Sequence, residues 1–149
     1  MRIVVYKNEE YIHNYLEKCE WNAAHFLWEL LRDNTFYEVL GDNSKLIVLL
    51  DGENVVSFAV YSIRDCIKDE SLFPWIGFVY TDEKYRNHRY SQKVIKYIIN
   101  LAKNDKHTNI YIATDHIGLY EKYGFNYKEN RIDIYNEDSR IYYYDLLNK

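Results

Sequence analysis

The stretch from Pro74 to Lys103 constrains the chain most, because it sets a strand, a charged turn and a helix in immediate succession. Trp75 to Thr81 is apolar on both faces, with Ile76, Phe78 and Tyr80 expected to point one way and Trp75 and Val79 the other. A strand without polar alternation is central and covered on both sides. The turn Asp82-Glu83-Lys84-Tyr85-Arg86-Asn87-His88-Arg89 follows. Ser91, Val94, Ile95, Ile98, Leu101 and Ala102 then fall on one stripe at helical spacing, with Gln92, Lys93, Lys96, Asn100 and Lys103 off it. The free N–H groups of such a helix's first turn, beside Arg86 and Arg89, suit a phosphate.

The remaining elements can be placed around this unit. Arg2 to Tyr6 reads as a strand, and Glu9 to Cys19 as a helix. A second helix starts near Asn22, with Ala24, Leu27, Trp28 and Leu31 at i, i+3, i+4, i+7. Phe36 to Leu40 fits a short strand or an ordered loop. Leu46–Leu50 and Val55–Ile63 read as strands joined through Asp51-Gly52-Glu53-Asn54, a hairpin signal. Asn109–Ala113 is a short apolar strand after a crossover helix, hence parallel to the central one. Gly118–Tyr123 reads as a short helix stopped by Gly124. Asn126–Lys128 and Ile132–Tyr135 read as one irregular strand, turned at Asn136-Glu137-Asp138-Ser139, and Arg140–Leu147 as the last. The expectation is an α/β (α+β) fold. It has one mixed, mostly antiparallel sheet of six to seven strands, with helices on both faces and a splay between the two central parallel strands.

Length sets one domain over residues 1–149, and the single Pro and five Gly leave little room for a flexible linker. A formal net charge of −4 argues against nucleic acid as a partner. The two cysteines, Cys19 and Cys66, lack motif spacing, and reduced thiols in a cytoplasmic protein are expected. No metal-ligand cluster is visible. The first residues turn charged too soon for a signal peptide, and no apolar run approaches a membrane span. A homodimer is left open.

Two segments carry a resemblance. Arg86-Asn87-His88-Arg89-Tyr90-Ser91 is similar to the Arg/Gln-x-x-Gly-x-Gly/Ala loop of the GNAT superfamily of N-acetyltransferases. Leu119-Tyr120-Glu121-Lys122-Tyr123-Gly124-Phe125 resembles that superfamily's Leu-Tyr-x-x-x-Gly-Phe signature. The order of elements agrees over nearly the whole chain. Both loop glycines are replaced, by Arg89 and Ser91, and the Asn that many members carry before the second signature is absent from Thr114-Asp115-His116-Ile117-Gly118.

The resemblance implies acetyl-CoA as co-substrate, lying in the splay. Backbone groups along Val79, Tyr80 and Thr81 would pair with the pantetheine, and Arg86, Asn87, His88, Arg89, Tyr90 and Ser91 would cradle the pyrophosphate. A small-molecule or peptide amine would attack the thioester directly. The N–H of Val79 would steady the oxyanion, and Tyr120 would protonate the departing thiolate. His116 and Asp65 are candidate bases. Asp115 would attract a cationic acceptor. Trp75 and Phe73 are candidates for the acceptor pocket, with core packing an equal alternative. Two classes stay open: an active N-acetyltransferase, and a silent CoA-binding or interaction module of the same fold.

Overall fold

In the computed structural model, which describes residues 1–147, seven strands form one sheet in the order β1-β2-β3-β4-β5-β7-β6. The final two residues of the domain expected over 1–149 lie outside the described ones. The strands are β1 (Arg2–Val5), β2 (Lys45–Asp51), β3 (Asn54–Ser62), β4 (Trp75–Thr81), β5 (Asn109–Thr114), β6 (Asn126–Ile132) and β7 (Asp138–Asp145). The helices are α1 (Glu10–Lys18), α2 (Asn22–Arg32), α3 (Phe36–Leu40) and α4 (Tyr90–Asn104). Every neighbouring pair is antiparallel except β4–β5.

Helices cover both faces. Val94, Ile95, Ile98, Ile99 and Ala102 of α4 pack with Ile47, Ala59, Ile76, Ile110 and Tyr142 of the sheet. On the opposite face Ile12 and Leu16 of α1 and Ala24, Leu27 and Leu30 of α2 pack with Leu46, Val48, Phe58 and Val60. Beyond the splay a smaller cluster, Trp75, Tyr111 and Ile141, is covered by Ile67 and Leu72 from the connection between β3 and β4. The β2–β3 hairpin turns over Gly52-Glu53, with Asp51 opposite Asn54. Gly52 has φ +63, the conformation a primed turn demands at its first central residue.

Four expectations need correction. Phe36–Leu40 is a helix, whose period a five-residue stretch cannot reveal. It buries Phe36 and Leu40, and the Leu40 carbonyl accepts from the N–H groups of Ile63 and Arg64. Residues 118–123 form only a 3-10 turn over Tyr120–Tyr123, closed by Gly124 at φ +96. The strand read through Tyr135 ends at Ile132, and β7 begins at Asp138. The Asp133 carboxylate accepts the N–H groups of Tyr135 and Glu137 at 2.9 and 3.0 Å and makes 133–137 a turn.

The fourth correction concerns β4. In register with β3, Gly77 faces Val60 and Tyr80 faces Phe58, so Phe78 and Val79 together oppose the single residue Ala59. This is a β-bulge, with Phe78 at φ +54. The bulge flips the alternation. Ile76 and Val79 face α4, whereas Phe78 and Tyr80 face α1 and α2. A bulky residue in the left-handed region costs on the order of 1–3 kcal/mol, and such strain concentrates at functional sites.

Candidate active site

The parallel pair β4–β5 meets only at Trp75 opposite Tyr111, with the Tyr111 N–H donating to the Pro74 carbonyl at 3.0 Å. Past that point the strands part. Burial follows the parting, since β4 is buried from Trp75 to Gly77 and half-buried from Phe78 to Thr81. The backbone of β4 beyond the bulge therefore has no β5 partner, and its polar groups face a cleft.

At the open end of the cleft a cavity of about 390 Å³ is lined by Thr81, Arg86, Asn87, Arg89, Tyr90 and Ser91, and by Tyr85, Leu119 and Tyr123. The turn folds as it does because Asp82 accepts the Lys84 N–H at 2.9 Å and the Tyr15 hydroxyl of α1 at 2.6 Å. Asn87 and Arg89 adopt positive φ, 72° and 59°. Arg89, standing where the resembling loop has glycine, thus takes the left-handed conformation that glycine adopts freely. It is the N-cap of α4 and makes no side-chain capping bond. The first N–H groups of a fifteen-residue helix open towards the cavity. Arg86 Nε donates to the Thr81 carbonyl at 3.0 Å, and its guanidinium sits 5.4 Å from the Tyr80 ring centre. His88 is exposed, its ring 5.5 Å from that of Tyr90. Tyr80 itself stacks on Trp21 on the α1–α2 side.

The 3-10 turn closes the cavity from the β5 side, with Leu119 and Tyr123 in its wall and Ser91 Oγ 3.3 Å from the Tyr123 hydroxyl. Tyr120 lies between them in sequence. Its ring is 5% exposed and packs against Tyr123, Phe125 and Tyr142. Burial, and then the neighbouring Tyr123, push its phenol far above the usual range. Its hydroxyl makes no hydrogen bond among the described residues, where only Trp28 Nε1 is a fully buried side-chain polar atom without a partner. The turn is held by Tyr142 of β7. That hydroxyl accepts from Arg140 Nε at 2.9 Å and donates to the Glu121 carboxylate at 3.0 Å.

A second cavity, of about 290 Å³, lies on the other side of the bulge. Phe78 forms its wall with Trp21 and Phe26 of the α1–α2 corner, Asp65 of the β3–β4 connection, and Ile134 and Tyr135 of the 133–137 turn. The Ile134 N–H donates to the Cys66 carbonyl at 2.9 Å and pins that turn over the site. Asp65 packs directly on Gly77, where any Cβ would run into its Oδ1. Burial pushes the Asp65 carboxyl up to about 6, against hydrogen bonds from Cys66 that lower it. The same burial, with Asp65 close by, raises the Cys66 thiol, which stays protonated.

Thr81, Arg86, Asn87, Arg89, Tyr90 and Ser91 thus line one cavity, and Asp65 another, with the bulge between them. Other expected site residues lie elsewhere. Trp75 is 1% exposed, its Nε1 donates to the Leu72 carbonyl at 2.7 Å, and it packs on Tyr111. Phe73 meets His107 edge-on. Asp115 and His116 are exposed in the loop after β5, the His116 N–H bonded to Thr114 Oγ1 at 3.1 Å. Sequence reasoning missed Trp21, Phe26, Phe78, Ile134 and Tyr135 around Asp65. No sequence signal marks them out; in the fold, Phe26, Ile134 and Tyr135 are exposed at the rim of this cavity.

The sequence matches the family model "Acetyltransferase (GNAT) family" over residues 4–125, and the chain belongs to that family. No curated protein matches it. Among solved structures, aminoglycoside 6'-acetyltransferase type Ii is 12% identical, with 100% of this chain and 99% of that chain covered at a TM-score of 0.74. An acetyltransferase from Streptococcus agalactiae is 20% identical, covers 97% of each chain, and has a TM-score of 0.67. A GNAT family acetyltransferase from Elizabethkingia anophelis, with acetyl-CoA bound, is 14% identical over 97% of each chain, at a TM-score of 0.66. These likenesses are of fold. Among the described residues, no helix is long and apolar enough to cross a membrane, and no group of three His, Cys, Asp or Glu is placed to hold a metal ion.

Proposed function

We propose that the protein moves the acetyl group of acetyl-CoA to a primary amine by direct attack within a ternary complex. The single observation that carries this reading is the splay at the β4 bulge, with a cavity suited to an anion on one side and, across the bulge, a second cavity holding the Asp65 carboxylate. The residues present fit the co-substrate. The β4 edge along Val79 to Thr81, which has no β5 partner, can take the pantetheine as an extra strand. Asn87 and Arg89 line the cradle, their N–H groups available to a phosphate, and Arg86 keeps its terminal nitrogens for it while Nε holds Thr81. Bound there, acetyl-CoA supplies an activated carbonyl.

Asp65 takes a proton from the acceptor ammonium. A carboxylate at about 6 suits that role near neutral pH, because it is ionised yet basic enough to accept. The freed nitrogen forms the N–C bond, the Val79 N–H steadies the oxyanion, and the C–S bond breaks. Tyr120 gives its proton to sulfur. The burial that raises the phenol keeps it protonated, and equally disfavours a bare thiolate beside it. Tyr120 regains a proton from the nitrogen's second N–H through solvent, and Asp65 returns its own to solvent. The sum is amide, free thiol and one proton. His116 and Asp115 line neither cavity and take no part in this proton path.

The test combines binding and turnover. Acetyl-CoA must raise the melting temperature, and adding an amine must release free thiol with equimolar N-acetyl product by mass spectrometry. Stabilisation by acetyl-CoA without thiol release from any amine would establish the silent module instead.

A further inference from the structure

The cavity around Asp65 has a composition that selects among amines. Its walls are aromatic and aliphatic, from Trp21, Phe26, Phe78, Ile134 and Tyr135, and Asp65 is its one carboxylate. Phe26 and Phe78 stack with ring centres 6.3 Å apart and together form one apolar wall of the slot. Cys66 and Tyr135, the other titratable groups there, are both pushed upward by burial and stay neutral. The nearby Asp133 carboxylate is occupied by the N–H groups of Tyr135 and Glu137 and by the Ser139 hydroxyl. Asp65 has no cation within ion-pair distance among the described residues. A partly buried carboxylate without a partner is costly unless something positive arrives to meet it. About 290 Å³ is at the small end of ligand cavities.

Resting on the acetyl-transfer reading, we infer that the acceptor is a small monoamine with an aryl or bulky alkyl body, its ammonium on Asp65 and its apolar body against the wall formed by Phe26 and Phe78. A polyamine or an aminoglycoside brings several further charges or hydroxyls, and beside Asp65 the lining offers them only the Cys66 thiol, the Tyr135 hydroxyl and the Trp21 indole N–H. Each polar group buried without a partner there weakens binding. The amine nitrogen on Asp65 lies against Gly77, two residues before Val79, whose N–H faces the reacting carbonyl in the proposed complex.

The experiment measures kcat/KM at saturating acetyl-CoA for phenethylamine, spermidine and kanamycin, together with calorimetric binding of each amine to the CoA-loaded protein. Phenethylamine should exceed both others at least ten-fold in kcat/KM, and it alone should bind measurably. Phe26→Ala, at a rim position where folding is not at stake, should raise the KM for phenethylamine about ten-fold and leave the Kd of acetyl-CoA unchanged. Spermidine or kanamycin as the best acceptor would overturn the inference and leave acetyl transfer standing. If no amine released thiol, the transfer reading would fall. Calorimetry would still decide the slot: phenethylamine binding weakened by Phe26→Ala supports it, and no binding overturns it.

Discussion

Asp65 is where stability and function pull apart. Its carboxyl is raised from 3.8 to about 6, so the folded state holds the proton more tightly than the unfolded chain. The stability this contributes is fully present below pH 3.8 and lost as pH rises through about 6. Asp65→Asn does not ionise and escapes the loss. It should be more stable than the parent at pH 8 by about 3 kcal/mol, the gap closing towards pH 4, as chemical denaturation at the two pH values will show. Its kcat/KM should fall by about 10²–10⁴-fold, and the parent's acid limb near pH 6 should be absent from its profile. A variant that loses stability at pH 8 would refute the burial argument. Gly77→Ala tests the same contact from the other side. The added methyl meets the Asp65 carboxylate, so the KM for the amine should rise and the Kd for acetyl-CoA should stay. An unchanged amine KM would mean that Asp65 moves away without consequence.

At the scale of elements, what could be read in advance was what local chemistry dictates. The stripe of α4 buries Val94, Ile95, Ile98 and Ala102 as its spacing requires, and Gly52 turns the hairpin. The bulge could not be read. Nothing in Gly-Phe-Val says that Phe78 takes φ +54; that choice follows from pairing with β3, where Ala59 faces two residues. That Arg86, Asn87, Arg89, Tyr90 and Ser91 share one cavity was legible because they form one nearly continuous segment. The slot around Asp65 was not, because its lining comes from four separate segments, Trp21 with Phe26, Asp65, Phe78 and Ile134, and the turn at 133–137 read as strand. Arg86 shows how element and site are linked, since its Nε ties the end of β4 to the turn before α4. Arg86→Ala should weaken acetyl-CoA binding by about 1–3 kcal/mol in calorimetry, through one lost charge-assisted bond. Equal affinity in parent and variant would put the phosphates elsewhere.

Over the whole molecule, two layers of helices hold a sheet that is continuous everywhere except between β4 and β5, and the proposed chemistry sits at that discontinuity. The two halves contribute different groups. The β1–β4 half supplies the bulge, the cradle, Asp65 and most of the slot. The β5–β7 half supplies Tyr120, set by Tyr142 through Glu121. Transfer therefore needs both halves in register across the cleft, and Tyr120 reports on that most directly. Tyr120→Phe removes one hydroxyl that bonds nothing in the fold and leaves the ring against Tyr123, Phe125 and Tyr142. Measured with a turning-over amine at saturation, kcat should fall by about 10²–10⁴-fold, with the melting temperature and the Kd of acetyl-CoA close to the parent's. A parental kcat in a fully folded Tyr120→Phe variant would contradict the account and assign the proton on sulfur to water.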